Sequence, residues 1–266
     1  MRLVVKAGGR VLDRNLENLL DSLAKHGKEH EIVFVHGGGD IVTEYSRKLG
    51  VEPKFVISPS GVRSRYTDER ELEVYVMVMA GKINKEIVSG LLRREVKAIG
   101  LSGADGKLLY AKRKERIIIV DERGRKRFIP GGYTGKIIDV NVNLIMTLLN
   151  NGYLLVVAPI AYGTKGELLN VDGDQAASAI AKYLKPDRLI LLSDVEGVIL
   201  DGKVIPKIKV SNVDEVFKKT GLGMNRKVLM AAEAVEAGTT KAIISSGLVK
   251  DPISHALNEN GTVIEK

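Results

Sequence analysis

With 266 residues, 44% of them hydrophobic and 28% charged, the chain can bury a sizeable core as one large domain or two medium ones. It has no cysteine, which excludes disulfides, thiol catalysis and cysteine metal sites, and its four scattered histidines (His26, His30, His36, His255) offer no metal-ligand spacing. The longest apolar run, residues 153–162, is ten residues with a proline inside, short of the roughly 18 that span a bilayer; Lys6 interrupts any signal-peptide core, so a cytoplasmic protein with no membrane partner is expected.

The first predicted strand, Leu3-Val4-Val5, runs into Lys6-Ala7-Gly8-Gly9. Lys6 falls at the strand's C-terminal end, where ligand crevices of open α/β sheets lie. Leu16, Leu19, Leu20 and Leu23 follow at helical spacing, with Asn15 as the expected N-cap and Gly27 as the stop. Glu31–Val35 is a second apolar strand, His36-Gly37-Gly38-Gly39-Asp40 its turn, and Ile41–Leu49 an amphipathic helix. Three successive glycines leave no Cβ in a ligand's way, and the helix N-terminus adds unpaired N–H donors and partial positive charge. That combination suits phosphate or carboxylate. A tight turn built for steric reasons explains one such glycine; three in a row after an apolar strand point to an anion site. Neither turn is a GxxxxGK[ST] P-loop or a dinucleotide GxGxxG.

Residues 51–66 read as extended and irregular. Asp68 and Glu71 are spaced as a capping box for the next helix. Its apolar face runs through Leu72, Tyr75, Met79, Ile83, Ile87 and Leu91, with a break or kink expected at Gly81. A strand follows at 97–101. Between Lys107 and Arg127, nine basic residues against three acidic ones leave a net +6, most of the chain's +8. A solvated hairpin explains such a run, and so does a docking surface for an acidic partner. Nucleic acid is disfavoured because few aromatics interleave with the charges.

Alternating runs punctuated by Gly124 and Gly131-Gly132 predict β-hairpins up to Val140. A helix at 143–150, a buried strand at 153–158 and an alanine-rich helix at 173–184 follow. Lys185-Pro186-Asp187 marks the expected division between an N-terminal lobe, 1–184, and a C-terminal lobe, 185–266. The latter carries a second βα series, with strands at 188–192, 241–245 and 262–264, helices at 225–237 and 252–259, and a turn at Asp201-Gly202. The predicted fold is α/β, an open and mostly parallel sheet sandwiched by helices, with β-hairpins in the N-terminal lobe.

Six stretches carry the chemistry: Lys6-Ala-Gly-Gly9, His36-Gly-Gly-Gly39, Gly61-Val-Arg63, Asn170-Val-Asp-Gly-Asp174, Leu192-Ser-Asp-Val-Glu-Gly-Val198 and Gly223-Met-Asn-Arg-Lys227. Singly, each has a plain structural explanation. Lys6 suits a strand-end lysine reaching solvent, Asp174 a helix cap, Lys227 a first-turn surface lysine, Arg63 a loop arginine, and His36 a packing residue of its turn. In this order they resemble the amino acid kinase family, acetylglutamate kinase branch, across essentially the whole chain. The resemblance implies phosphoryl transfer from MgATP to a carboxylate, giving an acyl phosphate. It implies that Lys6 and Lys227 flank the transferring phosphoryl group, and that Asp174 holds both lysines. Gly8 and Gly9 then bind ATP phosphates, with Asp194, Val195, Glu196 and Gly197 beside the nucleotide. Gly38 and Gly39 meet the acceptor's carboxylate end, Arg63 its other carboxylate, and Asn170 its backbone. An ionised carboxylate needs no general base, so the absence of a candidate catalytic His or Cys is consistent.

Asn170-Val-Asp172-Gly-Asp174 departs from the N-x-N-A-D of kinases that use free N-acetylglutamate. With Gly61–Asp68 and Gly81–Lys85 it is similar to the archaeal and Thermus-type kinases of carrier-linked lysine and arginine biosynthesis. There the substrate, α-aminoadipate or glutamate, rides on the small acidic carrier protein LysW. The basic segment gives a physical reason for that reading. The chain begins at its first strand, without the extra N-terminal helix of arginine-inhibited hexameric relatives. A homodimer formed by the N-terminal half, without arginine feedback, is therefore expected. The rivals are a kinase of free N-acetylglutamate, a uridylate or carbamate kinase, and a basic, non-enzymatic RNA- or protein-binding module.

Overall fold

The structure is a computed structural model and describes residues 1–221 and 223–266. The chain begins with β1 (Arg2–Ala7), α1 (Gly9–Gly27), β2 (Glu31–His36), α2 (Gly39–Lys48), β3 (Lys54–Ile57), β4 (Arg63–Tyr66) and α3 (Glu69–Val76). A π-helical turn, Met77–Ile83, joins α3 to α4 (Asn84–Leu92), and β5 (Ala98–Ser102) follows. Next come β6 (Leu109–Arg113), β7 (Arg116–Val120), β8 (Lys126–Pro130), β9 (Gly135–Val140), α5 (Val142–Asn150), β10 (Leu154–Ala158), β11 (Ile160–Gly163), β12 (Leu168–Asn170) and α6 (Gly173–Leu184). The remainder is β13 (Arg188–Ser193), β14 (Ile199–Leu200), β15 (Lys203–Val204), β16 (Lys207–Lys209), α7 (Val213–Lys219), α8 (Met224–Glu236), β17 (Lys241–Ser246), α9 (Pro252–Leu257) and β18 (Thr262–Glu265).

Eight strands form the main sheet, in the order β16-β18-β17-β13-β1-β2-β10-β5. Every pairing is parallel except β17 with β18. β1 lies between β2 and β13, so the sheet continues across the chain's midpoint. The strands read as unbroken apolar runs because both faces are covered. Alternation sends Leu3, Val5 and Ala7 to the face that also buries residues of α1, α3, α4 and α9. Val4 points to the other face, among the alanines and aliphatics of α6 and α8. Lys6 shares the parity of Val4, and that puts its ammonium at the ends of α6 and α8.

Four local expectations change. α1 starts at Gly9, not after Asn15: Asn15 leaves helical geometry inside α1 (φ −145°), and its amide donates to Gly247 O and Val249 O, both at 2.8 Å. Gly81 lies inside the π turn, which keeps α3 and α4 continuous. Residues 54–66 are a β3–β4 hairpin rather than irregular. Asp68 does cap α3, accepting from Glu71 N at 3.1 Å, but the Glu71 side chain turns inward to Arg65 and Ser46 instead of back to the cap. α7 and the short strand β16 carry no pattern that predicts them.

Candidate active site

The C-terminal strand ends of β1 and β2 each lead through glycines into a helix. Gly8 is the N-cap of α1 and Gly38 that of α2. The N-terminus of α6, capped by Asp172 through Asp174 N and Gln175 N at 3.0 Å each, opens on the same cleft. Several helix N-termini thus aim positive ends at one place. Among the described residues, no protein acceptor is found for the Gly38 or Gly39 N–H. Gly38 adopts φ +149°, and a Cβ there would overlap Ile83 Cδ1, so only glycine fits.

Two cavities meet at these turns. The larger, about 650 Å³, is lined by Lys6, Gly8, Gly9, Gly38, Gly39, Arg63 and Asn170. The smaller, about 270 Å³, is lined by Gly8, Gly9, Gly39, Asp194 and Lys227. Gly8, Gly9, Gly39 and Asp40 belong to both. Val195, Glu196 and Gly197 sit farther along the loop after β13 and line neither cavity; Gly197 packs against Thr262 and Val204.

Asp174, in the first turn of α6, stands between two lysines. Its Oδ1 is 2.7 Å from Lys6 Nζ, and its Oδ2 accepts from Lys227 Nζ of α8. The Lys6 contact is an ion pair without hydrogen-bond alignment, since Oδ1 has no well-angled donor. Small side chains on α6 and α8 make the approach possible: Ala176, Ala177, Ala181, Ala231 and Ala234 are fully buried, and Ser178 Oγ donates to Met230 O at 2.8 Å. Burial works against the Asp174 carboxylate, but the two lysine charges outweigh it and hold the group well below the usual carboxylate range. Burial also works against the Lys6 ammonium, yet Asp174 and Asp172 win and leave it above its ordinary value. Lys227 goes the other way, lowered by burial and by the Lys6 charge.

Arg63 stacks on Phe55, its guanidinium 3.6 Å from the ring centroid, and makes no ion pair among the described residues. Its planar fork is therefore free for a ligand carboxylate. Asn170 Nδ2 donates to Thr67 Oγ1 at 2.8 Å. Several further residues, given no place there by the sequence reading, face the cleft. Arg65, two residues along β4 and on the same face as Arg63, pairs with buried Glu71, donates to Gly39 O at 2.7 Å and to Thr43 Oγ1 at 2.5 Å. It fastens the β3–β4 hairpin to the triple-glycine turn. The alternation Arg63-Ser-Arg65 is the signal that points to it. Lys114 and Arg226 also face the large cleft; partial burial and the Arg226 charge lower the Lys114 pKa. Arg10 reaches across the smaller cavity to Asp194, Nη1 to Oδ2 at 2.7 Å.

Arg63→Lys is expected to raise the acceptor's KM and spare that of the nucleotide. A point charge survives, but the two-pronged grip and the Phe55 stack do not. Steady-state kinetics with each substrate varied would settle it, and a change confined to the nucleotide's KM would place Arg63 on the nucleotide side instead of the acceptor side expected from the sequence.

Strand-end glycine turns, converging helix N-termini and a lysine–carboxylate–lysine bridge define an α/β phosphotransferase. The sequence profile of the Amino acid kinase family matches residues 1–246, and the chain belongs to that family. A [LysW]-aminoadipate/[LysW]-glutamate kinase of Sulfolobus acidocaldarius is 55% identical over 264 residues, covering 99% of this chain and 100% of that one. A protein of the same name from Sulfurisphaera tokodaii is 57% identical over 263 residues, 98% of this chain and 99% of the other. Among solved structures, the N-acetylglutamate synthase of Neisseria gonorrhoeae with coenzyme A and N-acetyl-glutamate superposes with a TM-score of 0.83 at 21% identity, covering all of this chain and 59% of that one. Giardia lamblia carbamate kinase bound to AMP-PNP gives 0.71 at 18% identity, covering 100% and 98%. Those two likenesses concern the fold.

Proposed function

We propose that this protein transfers the γ-phosphoryl group of MgATP to the side-chain carboxylate of α-aminoadipate or glutamate carried on LysW. The observation that carries the reading is the Lys6–Asp174–Lys227 bridge at the junction of two cavities. One cavity is roomy and carries Arg63 and Asn170, and suits the acceptor; the other, with Gly8, Gly9 and Asp194, suits the nucleotide phosphates. In this reading residues 1–184 present the acceptor, and the nucleotide cavity is shared, with Gly8 and Gly9 from that lobe facing Asp194 and Lys227 from residues 185–266. A carboxylate oxygen of the acceptor attacks the γ-phosphorus, the bond to the β–γ bridging oxygen breaks, and ADP leaves with that electron pair. No proton moves. Lys6 and Lys227 meet charge on the equatorial and bridging oxygens, and the Gly38 and Gly39 N–H groups orient the attacking carboxylate. Among the described residues no cluster of three or more His, Asp or Glu stands ready to hold a metal. Mg2+ would come with the nucleotide and, when bound, would neutralise charge on its phosphates.

The carrier is supported by a third cavity, about 280 Å³, where Lys112, Arg113, Lys114 and Lys165 outnumber the single acid Glu115 in the lining. Lys114 is common to it and to the acceptor cleft. An acceptor tethered to an acidic protein thus has a basic path leading out of the cleft. Not every charge of the basic segment is free: Arg113 donates to Gly132 O at 2.6 Å and stacks on Tyr133, while Arg125 and Arg127 pair with Asp121 at 3.2 and 2.7 Å. Lys112, Lys126 and Lys165 are exposed and have no ion-pair partner among the described residues. A second copy of the chain is part of the same proposal, supported by exposed Leu49, Met77 and Leu92 in the N-terminal half. The relatives' names do not favour a kinase of free N-acetylglutamate, and membership of a kinase family disfavours a non-enzymatic binding module.

The test is to supply MgATP with free and carrier-linked acceptors and to trap acyl phosphate with hydroxylamine. Product from the carrier-linked acceptors alone is expected; efficient turnover of free N-acetylglutamate would overturn the assignment. Replacing Lys112, Lys126 and Lys165 by glutamine is expected to lower kcat/KM for the carrier-linked acceptor and leave kcat nearly unchanged, because rim charges act on association. Raising salt from about 0.05 to 0.5 M shortens screening from roughly 14 to 4 Å. It should slow wild type more than the triple variant, and parallel salt curves would remove this surface from the reading.

A further inference from the structure

We propose that Asn84 is a positioning residue for the acceptor site, acting by holding His36 in its neutral Nδ1–H form so that the Gly38 N–H is aimed into the cleft. The chain of contacts begins at His36, which is fully buried at the end of β2. Its Nδ1 lies 2.9 Å from Gly37 O. A carbonyl oxygen only accepts, so Nδ1 carries the proton. Nε2 is then an acceptor, and the Asn84 amide nitrogen faces it at 3.3 Å.

The orientation of the Asn84 amide is over-determined. Its nitrogen also faces Val156 O at 3.0 Å and Leu101 O at 3.4 Å, and its oxygen accepts from Lys85 Nζ at 3.0 Å. Reversing the amide would set its oxygen against two carbonyls and its nitrogen against an ammonium. Asn84 is itself fully buried and fits only because residue 100 is glycine: a Cβ there would overlap Asn84 Oδ1. Burial pushes the His36 pKa down to about 4, so the ring stays neutral at ordinary pH.

In a trans peptide the carbonyl and the following N–H point in opposite directions. By pulling Gly37 O to one side, His36 turns the Gly38 N–H to the other. The π turn completes the clamp. Met79 and Ile83, four residues apart, both press on Gly38, and Asn84 directly follows. The wider turn brings these residues onto one face of the helix, and π turns recur where such a local adjustment serves a site. The glycine turn is thus held by His36 from its carbonyl side and by Met79 and Ile83 from its Cα.

The functional half of this inference rests on the kinase reading; the tautomer half does not. A long-range 1H–15N spectrum of the histidine rings, recorded without substrate, reads the tautomer directly. Wild type is expected to show His36 as a single Nδ1–H form, and Asn84→Leu a mixture. In turnover assays, Asn84→Leu is expected to raise the acceptor's KM by about tenfold or more, the cost of misaiming a donor to a charged group, with the nucleotide's KM unchanged. His36→Asn and His36→Gln provide a second route if Asn84→Leu does not fold. The asparagine nitrogen, like Nδ1, is attached at Cγ and can still reach Gly37 O. The acceptor's KM should therefore rise less in His36→Asn than in His36→Gln. An Nε2–H ring in wild type, an unaltered tautomer and KM in folded Asn84→Leu, or the reverse order of the two His36 variants would overturn the proposal. A wild type without kinase activity would strike the functional reading and leave the spectrum to decide the tautomer.

Discussion

Lys227→Ala is expected to lower kcat by about 10²- to 10³-fold, the usual cost of removing one preorganised donor from a charge-developing transition state. Lys227 lies in the first turn of α8 and lines the smaller cavity, with its ammonium on Asp174 Oδ2. A cation there opposes the helix dipole, and burial together with the Lys6 charge lowers its pKa. The protein therefore gains little stability from this charge, and its natural use is to meet an incoming anion. Removing it leaves Asp174 paired with Lys6, so no buried carboxylate is stranded. The thermal midpoint should stay near that of wild type while kcat collapses, and the nucleotide's KM should change far less than kcat. Turnover within tenfold of wild type would remove Lys227 from the transition state.

The features legible in the sequence are those whose cause is local. An apolar strand followed by glycines and a helix is written in adjacent residues, so the Lys6–Gly9 and His36–Gly39 turns read as strand ends and lie at strand ends. The α6 helix is bounded as expected, because the alanine run declares its packing, although the residue that caps it is Asp172 and not Asp174. Misreadings occur where a distant partner decides. Asn15 has the chemistry of a cap, but its amide is claimed by carbonyls at Gly247 and Val249. Glu71 has capping-box spacing, but Arg65 takes its carboxylate. Gly81 is an ordinary helix breaker by propensity, and the π turn absorbs it. Only the alternation Arg63-Ser-Arg65 hints at Arg65; Lys114 reads as one charge of the basic segment, and nothing in the neighbours of Lys114, Arg226 or Asn84 shows that the fold gathers them around the glycine turns. The family resemblance supplied the pairing of Lys6, Asp174 and Lys227, which lie far apart in the chain; parity along β1 explains only why Lys6 faces the right way.

Asp174→Asn is the most damaging single change expected, because it acts on both lysines at once. In wild type one carboxylate holds two ammoniums that are each nearly buried, Lys6 through Oδ1 and Lys227 through Oδ2. An asparagine of the same shape removes the charge and leaves two cations facing each other. The remaining donors are also mismatched, since the new amide offers one oxygen where two lysines need acceptors. Loss of kcat by about 10³-fold or more is expected, since neither ammonium would keep the place that the proposed phosphoryl transfer gives it. Unlike Lys227→Ala, this variant should also lose stability, by about 3 kcal/mol, the scale for stripping a partner from a buried charge. The pH dependence carries the signature. The wild-type carboxylate has its pKa depressed by the two lysines, so its contribution is present above the ordinary carboxylate range and is lost as pH falls through the lower, folded value. In the variant that acid-side term disappears. The lysines, now depressed below their ordinary values, bind fewer protons folded than unfolded, so stability should climb as pH rises toward 10. Denaturant unfolding of both proteins across pH measures this. A variant with wild-type stability and no recovery at high pH would mean that Asp174 does not hold the two lysines together.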